Sequence, residues 1–329
     1  MWKAIRPIFN FGAVLVTTIS FVSCQGNINT SAASLHPDTT EVDSIVGLPD
    51  IESKDTVKHQ KGYLTKRWRN PVQIQLDTLN PISRDSLVRY EKAERRRVRD
   101  SVRQELDKLP KHVYFTFDDG PLIGSSAIDS ISRAKNIKTN VFLVGRHANM
   151  SKRLKRDLQR YKENPLIECY NHSYTHGKNR FTMFYSNPIS AYEDFEKNEL
   201  DLELKHKIAR LPGRNIWIYD DVRRIDLKSG ASTADMLYTN GYKIYGWDVE
   251  WRIYSASGKP IQSVNEIYTR IRNYMANKSS MEPNNVVLLM HDDMFQTKKG
   301  QQLLSSLIDT IQTTTDYKFE FIRDYPFRY

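Results

Sequence analysis

The chain has 329 residues, which is enough for one large domain with extensions or for two ordinary domains. Charged residues make up 27% and hydrophobic residues 39%, so a globular body is expected and wholesale disorder is not indicated. The net charge of +10 suits an anionic membrane, an acidic polymer or nucleic acid, but no nucleic-acid-binding motif accompanies it, so no nucleic-acid partner is expected.

The N-terminus, residues 1–23, is predicted to be a signal peptide. Lys3 and Arg6 precede an apolar run that is too short and too interrupted for a confident membrane span. The run ends before Cys24 in a sequence that resembles a bacterial lipoprotein cleavage site, which predicts lipidation of Cys24 and a membrane anchor. An ordinary signal peptide and a retained anchor are the alternatives. The other cysteine, Cys169, is expected to be a buried, unreactive thiol in a strand, and a disulfide framework is excluded.

Two segments separate this start from the main body. Residues 24–76 are polar without a sustained apolar period, which predicts a flexible tether. Residues 77–110 predict a charged helical extension, with a helix from Ser83 to Leu109 that Pro110 ends. Its apolar residues at positions 98, 102, 106 and 109 form a narrow stripe. We expect a spacer helix that packs this stripe on the domain; the alternative is a basic helix that rests on wall polymer or phospholipid.

After Pro110 the predicted strands and helices alternate, which favours a parallel α/β architecture with chemistry at the C-terminal ends of the strands. The predicted strands are Val113–Phe117, Thr139–Val144, Leu166–Tyr170, Ile216–Tyr219, Lys243–Trp247, Val286–Met290 and Lys318–Ile322. The predicted helices are Ala127–Ala134, Lys152–Tyr161, Ser190–Lys205, Ser232–Asn240, Ser263–Met275 and Gly300–Thr313.

Two adjacent carboxylates, Asp118 and Asp119, follow the first of these strands. Such a pair is costly to bury unless a cation or another partner neutralises it. Because neighbouring side chains of an extended chain point in opposite directions, one carboxylate is expected to bind a metal while the other reaches substrate. The alternative is an ordinary Asp-Gly-Pro turn.

Histidines follow two other predicted strands. His172 and His176 are four residues apart and meet on one face if the segment forms a helical turn, which is a metal-binding spacing. Two histidines and one carboxylate make a three-ligand site of the catalytic zinc type; the alternative is a pair of exposed histidines in a loop. His291 is a candidate general acid because its reference pKa lies near neutrality, with a capping or solvent-facing histidine as the alternative.

Together these motifs resemble the polysaccharide deacetylases of carbohydrate esterase family 4. The resemblance covers roughly residues 113–322 and rests on five segments in the order found in that family, of which the first, second and fifth are specific in combination. These segments are Thr116–Gly120, His172–His176, Arg210–Gly213, Trp247–Trp251 and Leu289–His291. The resemblance implies a deformed (β/α) barrel over residues 111–329.

The resemblance also implies a metal-dependent mechanism. Asp119, His172 and His176 would hold a divalent metal, with zinc expected, which polarises the acetyl carbonyl and acidifies a water molecule. Asp118 would be the general base, and His291 would protonate the leaving amine.

Further roles follow from the same resemblance. Arg210 would hold Asp118 ionised through a charge-assisted hydrogen bond. The N–H group of Gly213 would donate a hydrogen bond to the oxyanion. Trp247 and Leu289 would line a small pocket for the acetyl methyl group.

The chain departs from the family pattern at two places. Family members often have an aromatic residue where this chain has Gly213, and its loss is expected to remove a wall of the groove. The Trp/Asp segment is shorter than usual, so either Asp248 or Glu250 is expected to orient His291. A polar pair at a strand end is the alternative for these two acids.

The leading expectation is an N-deacetylase that acts outside the cytoplasm. Peptidoglycan N-acetylglucosamine is the first substrate expected, followed by chitin-like oligomers and poly-N-acetylglucosamine. An O-deacetylase acting on acetylxylan and a non-catalytic glycan-binding lipoprotein are the alternatives, although Asp118 and His291 are both present. An anchored protein would face the periplasm or the exterior of the cell; a secreted protein is the alternative.

Overall fold

The computed structural model describes residues 81–254 and 257–327, so the predicted signal peptide, the predicted lipidation site Cys24 and the predicted tether lie outside the described residues. The strands are β1 (His112–Gly120), β2 (Thr139–Leu143), β3 (Ile167–Asn171), β4 (Ile208–Ala209), β5 (Trp217–Tyr219), β6 (Val222–Arg224), β7 (Lys243–Ile244), β8 (Val249–Glu250), β9 (Ile253–Tyr254), β10 (Lys259–Pro260), β11 (Asn285–His291) and β12 (Lys318–Phe319). The α-helices are α1 (Pro81–Lys108), α2 (Ser125–Lys135), α3 (Gly145–Ala148), α4 (Lys152–Glu163), α5 (Phe181–Tyr185), α6 (Pro188–Leu202), α7 (Ala231–Thr239), α8 (Val264–Asn277) and α9 (Lys298–Thr314).

The main sheet has the strand order β6-β5-β7-β4-β3-β2-β1-β11-β8, and β12 pairs with the start of β1. The pairs from β7 through β8 in this order are parallel, whereas β5 pairs antiparallel with both β6 and β7. Parallel neighbours require crossover connections, and helices such as α2, α4 and α6 supply them. The predicted alternation of strands and helices is therefore confirmed.

The sheet curls around an inner cluster of aromatic side chains. Trp217 of β5 and Tyr114 of β1 both contact Tyr325, with ring centroids 5.4 and 5.1 Å from it. In a flat sheet the five intervening steps would separate these strands by roughly 24 Å. No pairing joins β6 to β8 within the described residues, so the curled sheet is an open, deformed (β/α) barrel, as the family resemblance implied.

The predicted helices are present, and polar caps explain where several of them begin. The Ser151 hydroxyl accepts a hydrogen bond from the Leu154 N–H at the start of α4, and Thr297 does the same for Gly300 at the start of α9. Two predicted strands are shorter than expected and end at Ile244 and Phe319. The elements that were not predicted, such as β4, β8 and α5, span five residues or fewer, which is too short to show a periodicity.

Helix α1 attaches to the barrel near its C-terminal end. The Asn284 amide donates a hydrogen bond to the Leu106 carbonyl oxygen at 2.5 Å, and Lys278 forms an ion pair with Asp107 at 2.6 Å, which lowers the pKa of Asp107. The stripe residue Leu106 is half-buried, whereas Leu109 is exposed. In the described part of the chain no helix is both long and apolar enough to cross a bilayer.

Candidate active site

The site begins at the C-terminal end of β1, where Asp118 is buried and Asp119 leaves the extended conformation with a φ of 71°. The expectation that these carboxylates point in opposite directions is wrong. Oδ2 of Asp118 lies 3.7 Å from Nε2 of His172, and Oδ1 of Asp119 lies 3.5 Å from the same nitrogen. The positive φ at Asp119 interrupts the alternation of the strand, so both carboxylates approach one imidazole ring.

His172 and His176 come together through a loop and not through the helical turn that the spacing suggested. Ser173 and His176 have φ values of 64° and 54°, and the two imidazole centroids are 5.1 Å apart. Nδ1 of His172 donates to the backbone oxygen of Arg210 at 2.8 Å, and Nδ1 of His176 donates to Oδ1 of Asn179 at 2.7 Å. Because both Nδ1 atoms face acceptors, each neutral ring presents its Nε2 lone pair to the centre of the site.

Asp119, His172 and His176 form a group whose ligand atoms all lie within 4.8 Å of one another. Oδ1 of Asp119 is buried without a well-aligned hydrogen-bond donor, although Nε2 of His176 is 3.1 Å away. Burial acts to raise the pKa of Asp119, but its contacts with the two histidines outweigh burial and hold that pKa well below its usual range. One carboxylate and two imidazoles facing a common point are the donor set of a catalytic divalent-metal site.

Arg210 fixes the orientation of Asp118. Its Nη1 donates to Oδ1 of Asp118 at 2.8 Å and to the Thr116 hydroxyl at 2.7 Å, while Nε and Nη2 donate to the backbone oxygens of Tyr245 and Gly246. Burial lowers the pKa of the guanidinium, and the Asp118 charge opposes that effect. The pair therefore leaves only Oδ2 of Asp118 directed toward the metal ligands.

His291 ends β11 and is the register partner of Asp118 in the neighbouring β1. Paired residues of parallel strands point to the same face, so both side chains face the inside of the barrel at the same level. Nδ1 of His291 is buried and makes no hydrogen bond with the described residues. Asp293, two residues further on, interacts electrostatically with His291 and Asp119, and burial raises its pKa. No sequence motif marks Asp293, because it is the 3₁₀ turn Asp292–Phe295 after His291 that brings this carboxylate near the site.

Asp248 does not orient His291, which corrects one of the two expectations for this segment. Its Oδ1 accepts the Met281 N–H at 2.7 Å, and its Oδ2 accepts the Val287 N–H at 2.9 Å. Val287 lies near the start of β11, whereas His291 lies at its end. Burial raises the pKa of Asp248 to about 7, against these two hydrogen bonds. The residue joins β8 to β11 at the base of the sheet.

Three further residues were predicted for the site. Trp247 lies near Arg210, and Glu250 and Leu289 lie in register, two residues before the pair formed by Asp118 and His291. Glu250 is half-buried and in register with the buried Leu289, so it stays the remaining sequence candidate for orienting the histidine. The Trp247 ring lies 5.8 Å from the Arg210 guanidinium. The Asn215 side chain accepts a hydrogen bond from the Trp247 N–H and donates one to the Trp247 carbonyl oxygen. The acetyl-pocket role of Trp247 and Leu289 stays a prediction.

Gly213 is exposed with a φ of 64°, and the space that a side chain would take there is already occupied. A Cβ atom at this position would lie 2.7 Å from the ring of Phe181. The Phe181 ring also packs edge-to-face on His176, with centroids 5.4 Å apart. Phe181 therefore stands where the sequence analysis expected a missing wall, and only a contact between distant segments reveals it.

Residues 105–212 match the family model described as polysaccharide deacetylase. Over this segment the chain is similar to polysaccharide deacetylases. The matched segment contains the candidate metal ligands, Asp118 and Arg210, and it ends one residue before Gly213.

Several solved structures are similar to this chain. A family 4 carbohydrate esterase from Streptomyces lividans is 17% identical, with 64% of this chain and 93% of that chain covered and a TM-score of 0.46. A carbohydrate esterase of the same family from Streptococcus mutans is 18% identical, with 66% and 89% covered and a TM-score of 0.48. The catalytic domain of a peptidoglycan N-acetylglucosamine deacetylase from Eubacterium rectale is 19% identical, with 64% and 89% covered and a TM-score of 0.46. No curated protein matches the chain in sequence.

Proposed function

We propose that this protein is a zinc-dependent hydrolase that removes N-acetyl groups from N-acetylglucosamine residues of a polysaccharide. One observation carries the proposal: the ligand group Asp119, His172 and His176 lies directly beside Asp118, which a buried arginine holds in place. A metal ligand set alone would suit a structural site. A fixed carboxylate at its edge is the arrangement that hydrolysis of an acyl group requires.

Each residue of the site then has a separate role in amide hydrolysis. Asp119, His172 and His176 would hold the zinc ion, which would supply Lewis-acid chemistry for the acetyl carbonyl and for an attacking water molecule. Oδ2 of Asp118 takes the proton of the attacking water, because Oδ1 is engaged by Arg210. His291, on the adjoining strand, delivers a proton to the nitrogen of the leaving amine. The N–H of the exposed residue Gly213 donates to the oxygen that becomes negatively charged.

Peptidoglycan is the substrate that we propose first, and the cell envelope is the proposed location. Both rest on the basic and apolar N-terminus and on Cys24, which predict export and lipidation. An enzyme anchored in this way would meet wall polymer before any soluble glycan. The alternative is O-deacetylation, because an ester carbonyl is attacked by the same groups in the same order.

The test is acetate release by protein stripped of metal and then supplied with zinc. N-acetylglucosamine oligomers, peptidoglycan and acetylxylan are compared as substrates. We expect zinc-dependent acetate release from the N-acetylated glycans and a kcat for Asp118→Asn that is lower by about 10²- to 10⁴-fold. Asp201→Asn is the matched control, because it removes a surface carboxylate whose one ion-pair partner among the described residues is Lys197 on the same helix.

Three other results would contradict parts of this proposal. Release from acetylxylan alone would replace the N-deacetylase with the O-deacetylase. Zinc binding without acetate release from any of these glycans would refute both and favour a glycan-binding lipoprotein. Equal rates for Asp118→Asn and Asp201→Asn would remove Asp118 from the mechanism.

A further inference from the structure

The segment that follows His176 brings an aromatic ring to the edge of the candidate active site. Phe181 is the first residue of α5, and its side chain is half-buried. Its ring meets the His176 imidazole edge-to-face, with an angle of 86° between the planes. A ring in this position touches a metal ligand on one side and retains a surface that solvent reaches.

The Phe181 ring can occupy this position because Gly213 has no side chain. A Cβ atom there would lie 2.7 Å from both Cδ2 and Cε2 of Phe181, a distance at which something must shift. The φ of 64° at Gly213 independently favours glycine. The N–H of Gly213 donates to no acceptor within residues 81–254 and 257–327, so the ring and an available N–H group lie side by side.

A cluster of buried contacts holds the ring and the glycine loop together. Arg214 is 7% exposed, and its guanidinium lies 5.7 Å from the Phe181 centroid and 5.0 Å from that of Tyr185. Nη1 of Arg214 donates to the Gly213 carbonyl oxygen at 2.7 Å, and the Tyr185 hydroxyl donates to the Pro212 oxygen at 2.7 Å. The ring is therefore ordered before any ligand arrives, which lowers the entropic cost of a contact with it.

We propose that Phe181 is the substrate-positioning residue of this site, forming the aromatic wall against which the acetylated pyranose ring packs. This inference rests on the proposed function, since it assumes a sugar at the metal site. The C–H groups on a pyranose face are apolar and pack on aromatic rings, while the polar edges of the sugar stay hydrated. The contact with His176 places the wall at the sugar whose acetyl group is cleaved. A wall farther along the groove would instead contact a neighbouring sugar.

The experiment compares Phe181→Leu and Phe181→Tyr with the unchanged protein. The Kd for a tetramer of N-acetylglucosamine is measured by calorimetry with zinc present, in an Asp118→Asn background in which turnover is expected to be slow. Steady-state kinetics are measured with the same tetramer and with 4-nitrophenyl acetate, which has no sugar ring. Phe184→Leu is the matched control on the same helix, because the Phe184 side chain packs on Tyr185, Phe195 and Gly177, whereas the space at Gly213 is filled by Phe181.

We expect Phe181→Leu to raise the Kd and the KM for the tetramer by about 2- to 10-fold, while kcat/KM for 4-nitrophenyl acetate and zinc affinity stay unchanged. Phe181→Tyr should restore tetramer binding, and Phe184→Leu should not change it. An unchanged Kd in Phe181→Leu would overturn the inference, and so would an equal loss on the ring-free ester, which marks a structural role. Absence of acetate release by the unchanged protein would refute the proposed function, but the binding measurement would still decide the role of Phe181.

Discussion

The two halves of the candidate active site are built in different ways. Asp118 and His291 stand at the ends of two hydrogen-bonded strands, β1 and β11, whose register runs without interruption from His112 and Asn285 up to these two residues. We call this the strand-held half. The loop-held half contains His176, Phe181 and Gly213, which lie in segments between strands.

This difference determines what each half depends on. In the strand-held half, backbone hydrogen bonds set the relative positions of the acid and the base, so side-chain changes should alter charge and stability more than geometry. In the loop-held half, single hydrogen bonds and positive φ angles set the positions. Changes there should alter metal affinity and binding more than the stability of the fold.

The largest expected effect on stability comes from Arg210, the buried cation of the strand-held half. Replacing it by Met leaves the Asp118 carboxylate buried without its partner, since Asp118 is 3% exposed. Breaking a buried ion pair on one side costs about 3–5 kcal/mol. We expect Arg210→Met to lower the free energy of unfolding by that amount, measured by urea titration of the metal-free protein.

Arg214→Met is the control for this prediction. Arg214 is also buried, but it forms no ion pair with any residue that the structure describes. Its loss removes hydrogen bonds to Gly213 and Ser229 and leaves no carboxylate unpaired. A similar loss of stability in the two variants would show that the Asp118 charge is not what Arg210 compensates.

The next effect is a pH dependence from Asp248, which joins β8 to β11. Burial raises its pKa from 3.8 to about 7, so the folded protein holds this proton more tightly than the unfolded chain does. The stabilising contribution is therefore complete below about pH 4 and is lost as the pH rises through about 7, and it reaches at most about 4 kcal/mol. We expect Asp248→Asn to flatten the fall in unfolding free energy across this range, measured by urea titrations at several pH values.

Asp292 has a pKa of about 7 for the same reason and contributes to the same pH range. The quantity that tests the prediction is therefore the difference in slope between Asp248→Asn and the unchanged protein. Identical slopes would mean that Asp248 is ionised in the folded protein.

A smaller effect is expected from Asn179, which belongs to the loop-held half. Its side chain accepts the Nδ1 proton of His176 at 2.7 Å, whereas the equivalent acceptor for His172 is a backbone oxygen. Removing such a partner typically lowers metal affinity by about 10- to 100-fold. We expect this loss for Asn179→Ala in a zinc competition titration with a chromophoric chelator.

Asn187→Ala is the matched control, because Asn187 caps α6 through the Ser190 N–H and has no contact with the metal ligands. Weaker zinc binding in both variants would indicate general loosening of the loop. Unchanged zinc affinity in Asn179→Ala would mean that the His176 ring is held by other contacts, such as Phe181.

The same division explains how much of the molecule could be predicted from sequence. The long strands and helices have clear periodicity, and residues at strand ends meet at one edge of a parallel sheet, so Asp118, Asp119 and His291 could be placed together in advance. Phe181 could not, because its neighbours are distant in sequence. Asp248 and Glu250 could not be told apart as partners of His291, because adjacency in a motif does not reveal which end of the partner strand each side chain faces.

Gly213 offers the smallest and most local test of the loop-held half. In Gly213→Ala, the positive φ of 64° costs about 1–2 kcal/mol, and the added Cβ must also displace the Phe181 ring. If the ring is held as tightly as Arg214 and Tyr185 indicate, the loss in unfolding free energy should be smaller when Phe181 is already Ala. A double-mutant cycle by urea titration measures this difference. Strictly additive losses would show that the Phe181 ring moves without cost when the methyl group is added. A ring that moves so easily could not fix the position of a sugar.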